Sequence, residues 1–419
     1  MSGYWYSPWR MPLANEVKLT QMNKNFKSFS NITRRVLKLG SEKWIPHVKA
    51  REMEKNTPDL IVLTIGEPDI PVNKKLVKIC SDSMNKGRTR YSSGRGEPNL
   101  LEALSSKYSK STGSKIKREN ILCFPGTQTA LFVAMMGLAE KGDEVLVGDP
   151  LYASYEGVIE ATGARMVKVP LQKEIGFSMT AEALEKAITP NSKVLLLNSP
   201  HNPTGAVLTK KEIEVIGDIC LKNNIWIISD EVYADLIYDQ YPPLKFSSPL
   251  DFEKFKVNTV VVSSISKSHA APGFRSGWVI GPSEFCSQLL PLSETILFGN
   301  QPFIADMTAY ALENETSTAK TMRKDYNRRA KIVLDSFREI NSLNPFKPNA
   351  GMFIMVDISN TGKSSEDFTS LLLEKEHVAT MPGSSFGDQA KDFIRMSLTV
   401  PDEMVKEACE RIKHFVLNS

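Results

Sequence analysis

With 419 residues, 41% of them hydrophobic and 24% charged, the chain is long enough for a large buried core and more than one domain. That composition excludes a disordered or collagen-like polymer. Basic residues number 52 against 48 acidic ones, and a net charge of +4 on so large a body gives no reason to expect a nucleic-acid or membrane partner.

The first 32 residues read as an N-terminal arm. Tyr4, Trp5, Tyr6 and Trp9 are followed by Lys18, Lys24 and Lys27, without the compact apolar stretch of a secretory signal. Residues 1–30 hold one acid, Glu16, so a transit peptide stays open. The longest apolar run, Leu131 to Ala139, contains Gly137 and stops at Glu140, far short of the roughly 20 residues that cross a bilayer. The five cysteines (80, 123, 220, 286 and 409) are scattered and form no CxxC pair. Such usage argues against a disulfide framework or metal site, and for reduced thiols in the cytoplasm.

From about residue 120 to 280, short apolar runs alternate with helical patterns. Strands are expected over residues 121–124, 144–147, 166–169, 193–197, 225–228, 259–262 and 278–280. Amphipathic helices are expected between them, over 129–138, 152–161 and 210–223. Continuous apolar strands alternating with helices imply an α/β domain whose mostly parallel sheet is covered on both faces. After residue 300 the texture changes. One long helix is expected over 302–340, with Arg323, Arg328, Arg329 and Lys331 on its wetter face. A strand (352–356), a helix (366–375), a strand (393–398) and a closing helix from Pro401 follow. The pattern describes a smaller α+β domain of residues 33–66 and 321–419 beside a large domain of residues 67–320.

Open α/β sheets carry ligand sites at the carboxyl ends of their strands, so the residues just beyond each expected strand are the place to search. The first such end is Ser264-Ile265-Ser266-Lys267, with Arg275 a little further on. A buried unpaired lysine is a poor structural choice, but its amine suits a Schiff base with an aldehyde. Ser264 and Arg275 offer a hydroxyl and a bidentate cation for a phosphate. The second, Asn198 to Gly205, is a turn stiffened by two prolines that fixes the Asn202 amide. The third, Ser229-Asp230-Glu231-Val232-Tyr233, puts a carboxylate where it can pair with a protonated pyridine nitrogen. The fourth, Pro125-Gly126-Thr127-Gln128, presents backbone N–H groups at a helix start, which suits a phosphate. Each has a blander reading as a loop, a turn or a helix cap; their combination is what points to one site. His269 reads as a histidine satisfied by loop hydrogen bonds, and Trp226 and Trp278 as core.

In this order and spacing the elements resemble the class I aminotransferases of the fold-type I pyridoxal-phosphate family, from about residue 33 to the end. The motifs are Gly66-Glu67-Pro68-Asp69, Tyr91 in its Tyr-Ser-Ser-Gly turn, Asn202-Pro203-Thr204-Gly205, Asp230-Glu231-Val232-Tyr233, Ser264-x-Ser266-Lys267 and Arg275. The resemblance implies pyridoxal 5′-phosphate bound to Lys267, which also moves the substrate proton. It implies that Asp230 pairs with the pyridine nitrogen, Tyr233 and Asn202 meet the ring hydroxyl, and Tyr152 stacks on the ring. Ser264, Arg275 and the backbone of Gly126, Thr127 and Gln128 would hold the phosphate. Arg395, with Gly66 and Asn202, would bind the substrate, the arginine taking its α-carboxylate. Tyr91 implies a homodimer with shared active sites, its hydroxyl reaching the phosphate of the other subunit.

A narrower resemblance, to arginine–pyruvate transaminases, rests on Ser266-Lys267-Ser268-His269, Trp278 to Pro282, Leu297-Phe298-Gly299 and Gly351 to Asp357. The chain departs from it at Ala271-Pro272-Gly273-Phe274, where relatives carry Met-Thr-Gly-Trp. Aspartate-type members carry a lysine where this chain has Gln128, and residues 291–302 hold Glu294 but no Lys or Arg. An unpaired side-chain carboxylate is costly to desolvate, so the expected donor is neutral or basic, arginine-like, and the acceptor pyruvate. The rivals are an aspartate/2-oxoglutarate transaminase and a pyridoxal-phosphate lyase on the same fold. A nicotinamide dehydrogenase is disfavoured because Gly94-Arg95-Gly96-Glu97-Pro98-Asn99 lacks the third glycine, and a regulator because no helix-turn-helix precedes the domain.

Overall fold

The computed structural model describes residues 29–39, 42–239, 243–314 and 316–418. Residues 1–28, which make up most of the expected arm, lie outside that range. Its strands are β1 (Ile61–Val62), β2 (Ile121–Phe124), β3 (Glu144–Asp149), β4 (Arg165–Pro170), β5 (Ser192–Asn198), β6 (Trp226–Asp230), β7 (Thr259–Ser264), β8 (Gly277–Ile280), β9 (Asn344–Phe346), β10 (Phe353–Asp357), β11 (Val378–Ala379), β12 (Met381–Pro382) and β13 (Phe393–Ser397). The seven strands β2 to β8 form one sheet in the order β2-β8-β7-β6-β5-β3-β4. All neighbours are parallel except those of β8, which runs antiparallel to both β7 and β2. All seven expected strands are present, each starting within one residue of its expected start and most reaching a residue or two further.

The sheet is buried on both faces where its inner strands are apolar; the edge strand β4, with Arg165 and Lys168, is only partly buried. Leu122, Phe124, Val147, Leu196, Ile228 and Val262 face one layer of helices, and Leu146, Leu195, Leu197 and Ile227 face another. Helix starts carry their own signals. Thr209 and Glu212 form a capping box ahead of helix Lys210–Lys222, satisfying two N–H groups that would otherwise be orphaned.

Strands β12-β13-β10-β9 make a second, antiparallel sheet, and β1 pairs in parallel with β11. Ile61 and Leu63 pack in one core with residues of helices Thr318–Phe337, Ser365–Glu376 and Asp402–Leu417. The expected helix over 302–340 is two helices, Pro302–Glu313 and Thr318–Phe337. Apolar spacing runs through the break, but Asn314 turns extended and its side-chain amide caps the Tyr310 carbonyl at 2.9 Å, ending the helix. Pro302–Glu313 packs in the core beside the large sheet, whereas Thr318–Phe337 belongs to the smaller core. Arg329 does not face water as expected. It is buried between Asp69 (2.9 Å) and Asp402 (3.0 Å), and it donates to the Leu398 carbonyl.

Candidate functional site

Register brings the four strand ends together. Asn198 stands opposite Asp230, and Asp230 opposite Val262 two residues before Ser264. Gly277 stands opposite both Ser264 and Phe124. Because β8 is antiparallel, its first residue meets the last residues of β7 and β2, which carries Arg275 to the Pro125-Gly126 turn.

Asp230 is buried and fully engaged. The Tyr155 hydroxyl donates to one oxygen at 2.8 Å and the Val232 N–H to the other at 3.2 Å. The Asn198 amide donates to the Asp230 carbonyl at 3.0 Å, and its oxygen accepts the Asn202 N–H at 2.8 Å. Burial pushes the Asp230 carboxyl up to about 6, against the pull of these donors and of Lys267. Tyr233 shares a hydrogen bond with Asn202 and is buried. Neither Tyr155 nor Asn198 was singled out for a role from the sequence. Tyr155, three residues after Tyr152 and at the head of helix Tyr155–Thr162, carried a positional hint; Asn198 carried only its place at a strand end.

The Lys267 amine donates to the Gly66 carbonyl at 2.6 Å. Burial pushes it down to about 8, with Arg275 and Arg395 adding to the effect and Glu67 and Asp230 opposing it. An amine held this low is nucleophilic near neutral pH. Gly66 permits the approach of the smaller sheet, since a Cβ there would lie 2.1 Å from the Phe353 ring.

A different environment surrounds Arg275. Its guanidinium donates to the carbonyls of Pro272 (2.8 Å) and Pro125 (3.4 Å) and is largely exposed. A Cβ on Gly126 would fall 2.2 Å from one of its nitrogens, so only glycine lets the arginine lie over this turn. Helix Thr127–Leu138 begins there with no side-chain cap, and the buried Thr127 hydroxyl has no partner. The Ser264 hydroxyl accepts the Ser266 N–H at 3.3 Å. An uncapped helix start, an orphaned hydroxyl and a guanidinium at one point are the donor set of a phosphate. With a depressed amine, a buried carboxylate and the Tyr233–Asn202 pair beside it, the residues present fit pyridoxal phosphate. Tyr152 meets Tyr155 edge-on, with ring centres 5.4 Å apart.

Arg395, on β13, is buried between the rings of Phe353 (3.8 Å) and Phe386 (4.4 Å). Its two terminal nitrogens donate to the Thr64 carbonyl (2.7 Å) and the Asn202 amide oxygen (3.2 Å), while its Nε has no partner. Burial opposes its charge, pushing the guanidinium down to about 10. A desolvated cation with an unmet donor calls for an anion. Phe353, Phe386 and Thr64 had no sequence signal of their own.

Three expected residues stand apart. Tyr91 is 91% exposed and meets Phe298 edge-on, with ring centres 6.1 Å apart. Gln128 is exposed on the first turn of its helix. Glu294 is exposed with its carboxylate against Gly94, where a Cβ would lie 2.1 Å away. His269 is engaged at both nitrogens, by the Ser268 hydroxyl at 2.8 Å and, from outside its own loop, the Ala311 carbonyl at 3.1 Å. Trp278 is core, its indole donating to the Tyr108 hydroxyl.

Among the described residues no helix is long and apolar enough to cross a membrane. The model of the family described as aminotransferase class I and II matches residues 58–412. An arginine–pyruvate transaminase of Pseudomonas aeruginosa is 35% identical over 384 residues, which is 92% of this chain and 97% of that protein. An aspartate aminotransferase of Pyrococcus horikoshii is 33% identical over 370 residues, 87% of this chain and 92% of that one. The aspartate aminotransferase of Thermus thermophilus with maleate superposes with a TM-score of 0.86 at 28% identity, covering 93% of this chain and all of that one. A family match across most of the chain, on a fold that gathers a carboxylate and two guanidinium groups around the Lys267 amine, leaves one conclusion: the chain belongs to the class I and II aminotransferases, and it is a pyridoxal-phosphate enzyme that moves an amino group from an amino acid to a 2-oxo acid.

Proposed function

We propose that the donor is a neutral or basic amino acid, arginine-like, and the acceptor pyruvate. The observation that carries this reading is one of charge: Gln128, where aspartate-type members carry a lysine, is neutral, and Glu294 is acidic, so neither offers a cation to a second substrate carboxylate. The similarity to an arginine–pyruvate transaminase supports it. An aspartate/2-oxoglutarate specificity is the second reading, favoured by the Pyrococcus relative. Measuring kcat/KM for arginine, alanine and aspartate, each with pyruvate and with 2-oxoglutarate, separates them. A clear preference for aspartate with 2-oxoglutarate overturns the proposal.

In the proposed mechanism Lys267 holds the cofactor covalently at rest. Ser264, Arg275 and the backbone of Gly126, Thr127 and Gln128 would bind its phosphate, Tyr152 would stack on its ring, and Tyr233 and Asn202 would meet its hydroxyl. Arg395 grips the substrate α-carboxylate with Asn202 and Gly66 beside it, so the α-hydrogen is presented to Lys267. When bound, pyridoxal phosphate supplies a cationic ring that accepts the electron pair released at the α-carbon. Lys267, as a free amine, would take the substrate's α-proton and give it back within the site, while the amino group would stay with the cofactor and water would supply the oxygen of the departing 2-oxo acid. Asp230 would pair with the ring nitrogen and keep it protonated. The second half-reaction runs the same steps in reverse on pyruvate, giving alanine.

The domain division of residues 33–66 with 321–419 against 67–320 is supported by Ile61 and Leu63 sharing a core with the C-terminal helices. A homodimer with shared sites is supported by the outward Tyr91 and Phe298. Mixing Lys267→Ala protein with protein disabled at Tyr91 should then restore activity, and a fully active monomer in sedimentation overturns this. A cytoplasmic site of action is supported by five free, buried cysteines.

A further inference from the structure

The Tyr155 hydroxyl is a donor that the mechanism above does not use. It is 2% exposed, sits at the start of helix Tyr155–Thr162, and spends its proton on the Asp230 carboxylate at 2.8 Å. We propose that Tyr155 is a positioning residue that aims the Asp230 carboxylate and keeps it ionised toward the cofactor's ring nitrogen. The proposal rests on the reading of Asp230 given above.

Once desolvated, Asp230 gains by taking a proton, and a protonated Asp230 has no charge with which to hold a pyridinium. A donor beside it offsets that tendency, and the choice of donor matters. A lysine or arginine would keep the carboxylate ionised but compete with the ring nitrogen for its charge. The backbone N–H of Val232 reaches only one oxygen, at 3.2 Å. A phenol is a neutral donor whose own proton is secure, because burial and the adjacent Asp230 push the Tyr155 hydroxyl well above its ordinary value. It stabilises the anion and leaves the net charge for the ring.

The geometry also limits motion. Asn198 holds the Asp230 carbonyl, Val232 one carboxylate oxygen and Tyr155 the other, so the carboxylate plane has no free rotation. The Tyr155 ring is itself packed in the core beside the sheet and meets Tyr152 at 89°. One side chain therefore orients both the Asp230 carboxylate and the Tyr152 ring proposed to stack on the cofactor. The titratable groups that face this pair are Lys267, Tyr152, Tyr233 and Glu231. None of those four donates to the carboxylate in this structure; the Tyr155 hydroxyl does.

The test uses the whole enzyme loaded with pyridoxal phosphate carrying a ¹⁵N label in its ring, and reads the ring-nitrogen resonance against pH. Tyr155→Phe should lower the pH at which the nitrogen loses its proton and slow the alanine half-reaction roughly tenfold or more, as expected for removing a hydrogen bond to a charged group. With the cofactor analogue that has carbon in place of the ring nitrogen, the same substitution should cause no further slowing. Tyr155→3,5-difluorotyrosine keeps the shape and strengthens the donor, so it should move the midpoint the other way; it also serves if Tyr155→Phe fails to fold. Asp230→Asn separates the two levels of the claim. If Asp230→Asn moves the resonance and neither Tyr155 variant does, the proposal is overturned and the reading of Asp230 stands. If none of them moves it, Asp230 is not the partner of the ring nitrogen and both fail. Equal slowing with the normal cofactor and the carbon analogue assigns Tyr155 a structural role and overturns the proposal as well.

Discussion

The two arginines of the site stand in opposite environments. Arg275 lies over a glycine turn at the edge of the large sheet, largely exposed, with backbone carbonyls as its partners. Arg395 lies in the smaller sheet, clamped between two aromatic rings with one nitrogen unmet. The first environment suits a ligand that stays, because the helix start and the orphaned Thr127 hydroxyl would share the binding of its charge. The second suits a ligand that comes and goes, because a desolvated guanidinium gains most from a carboxylate that arrives with it. One side-chain type thus serves two purposes, and its surroundings decide which.

The severest test removes the lysine between them. Lys267→Ala should retain cofactor on the Arg275 side yet lose half-reaction turnover by about 10²–10⁴-fold from proton transfer alone, measured by single-turnover absorbance. Cofactor lost together with activity would mean that the cradle does not hold it unaided. Arg395→Lys keeps the charge and loses the fork. Transition-state binding should weaken by roughly 2–5 kcal/mol in kcat/KM, with cofactor affinity unchanged in an equilibrium titration. Arg275→Lys should do the reverse, and if both variants alter the same parameter the division of labour is wrong.

Smaller effects sharpen the contrast. Gly126 has a φ of +85° and no room for a Cβ, so Gly126→Ala should cost roughly 1–3 kcal/mol in denaturant unfolding and displace Arg275. The least effect concerns pH. With the amine of Lys267 pushed down to about 8 by burial, covalent capture of cofactor should quicken as pH rises through that value and level off above it, since the amine reacts only when deprotonated. Arg275 and Arg395 both add to that depression, so replacing either by Gln should move the inflection upward in stopped-flow absorbance.

Much of this architecture is legible in the residues themselves. Runs such as Val194 to Leu197 and Val260 to Val262 can be buried on two faces only in a covered sheet, and strand ends in such sheets carry ligands. That logic singles out Asp230, Ser264 and Lys267 through chemistry, and the family resemblance adds Arg395 and Tyr91 as expectations; the structure buries Arg395 and leaves Tyr91 exposed. It failed at residue 314, where an unbroken apolar spacing hid a break made by a capping asparagine. It also failed at Arg329, whose charge suggested water but whose partners, Asp69 and Asp402, are distant in sequence.

What the sequence alone determined, then, was the seven strands of the large sheet, their alternation with helices and the reactive groups at their ends, because periodicity and residue chemistry are local properties; the short strands β1, β9, β11 and β12 had no such signal. Only the tertiary structure decided which groups touch. The antiparallel turn of β8 brings Arg275 to Gly126. Phe353 of the smaller sheet and Phe386 of the turn after β12 close on Arg395, and helix Tyr155–Thr162 delivers a hydroxyl to Asp230 from 75 residues away. Those contacts depend on register and packing between distant segments, which no local pattern encodes.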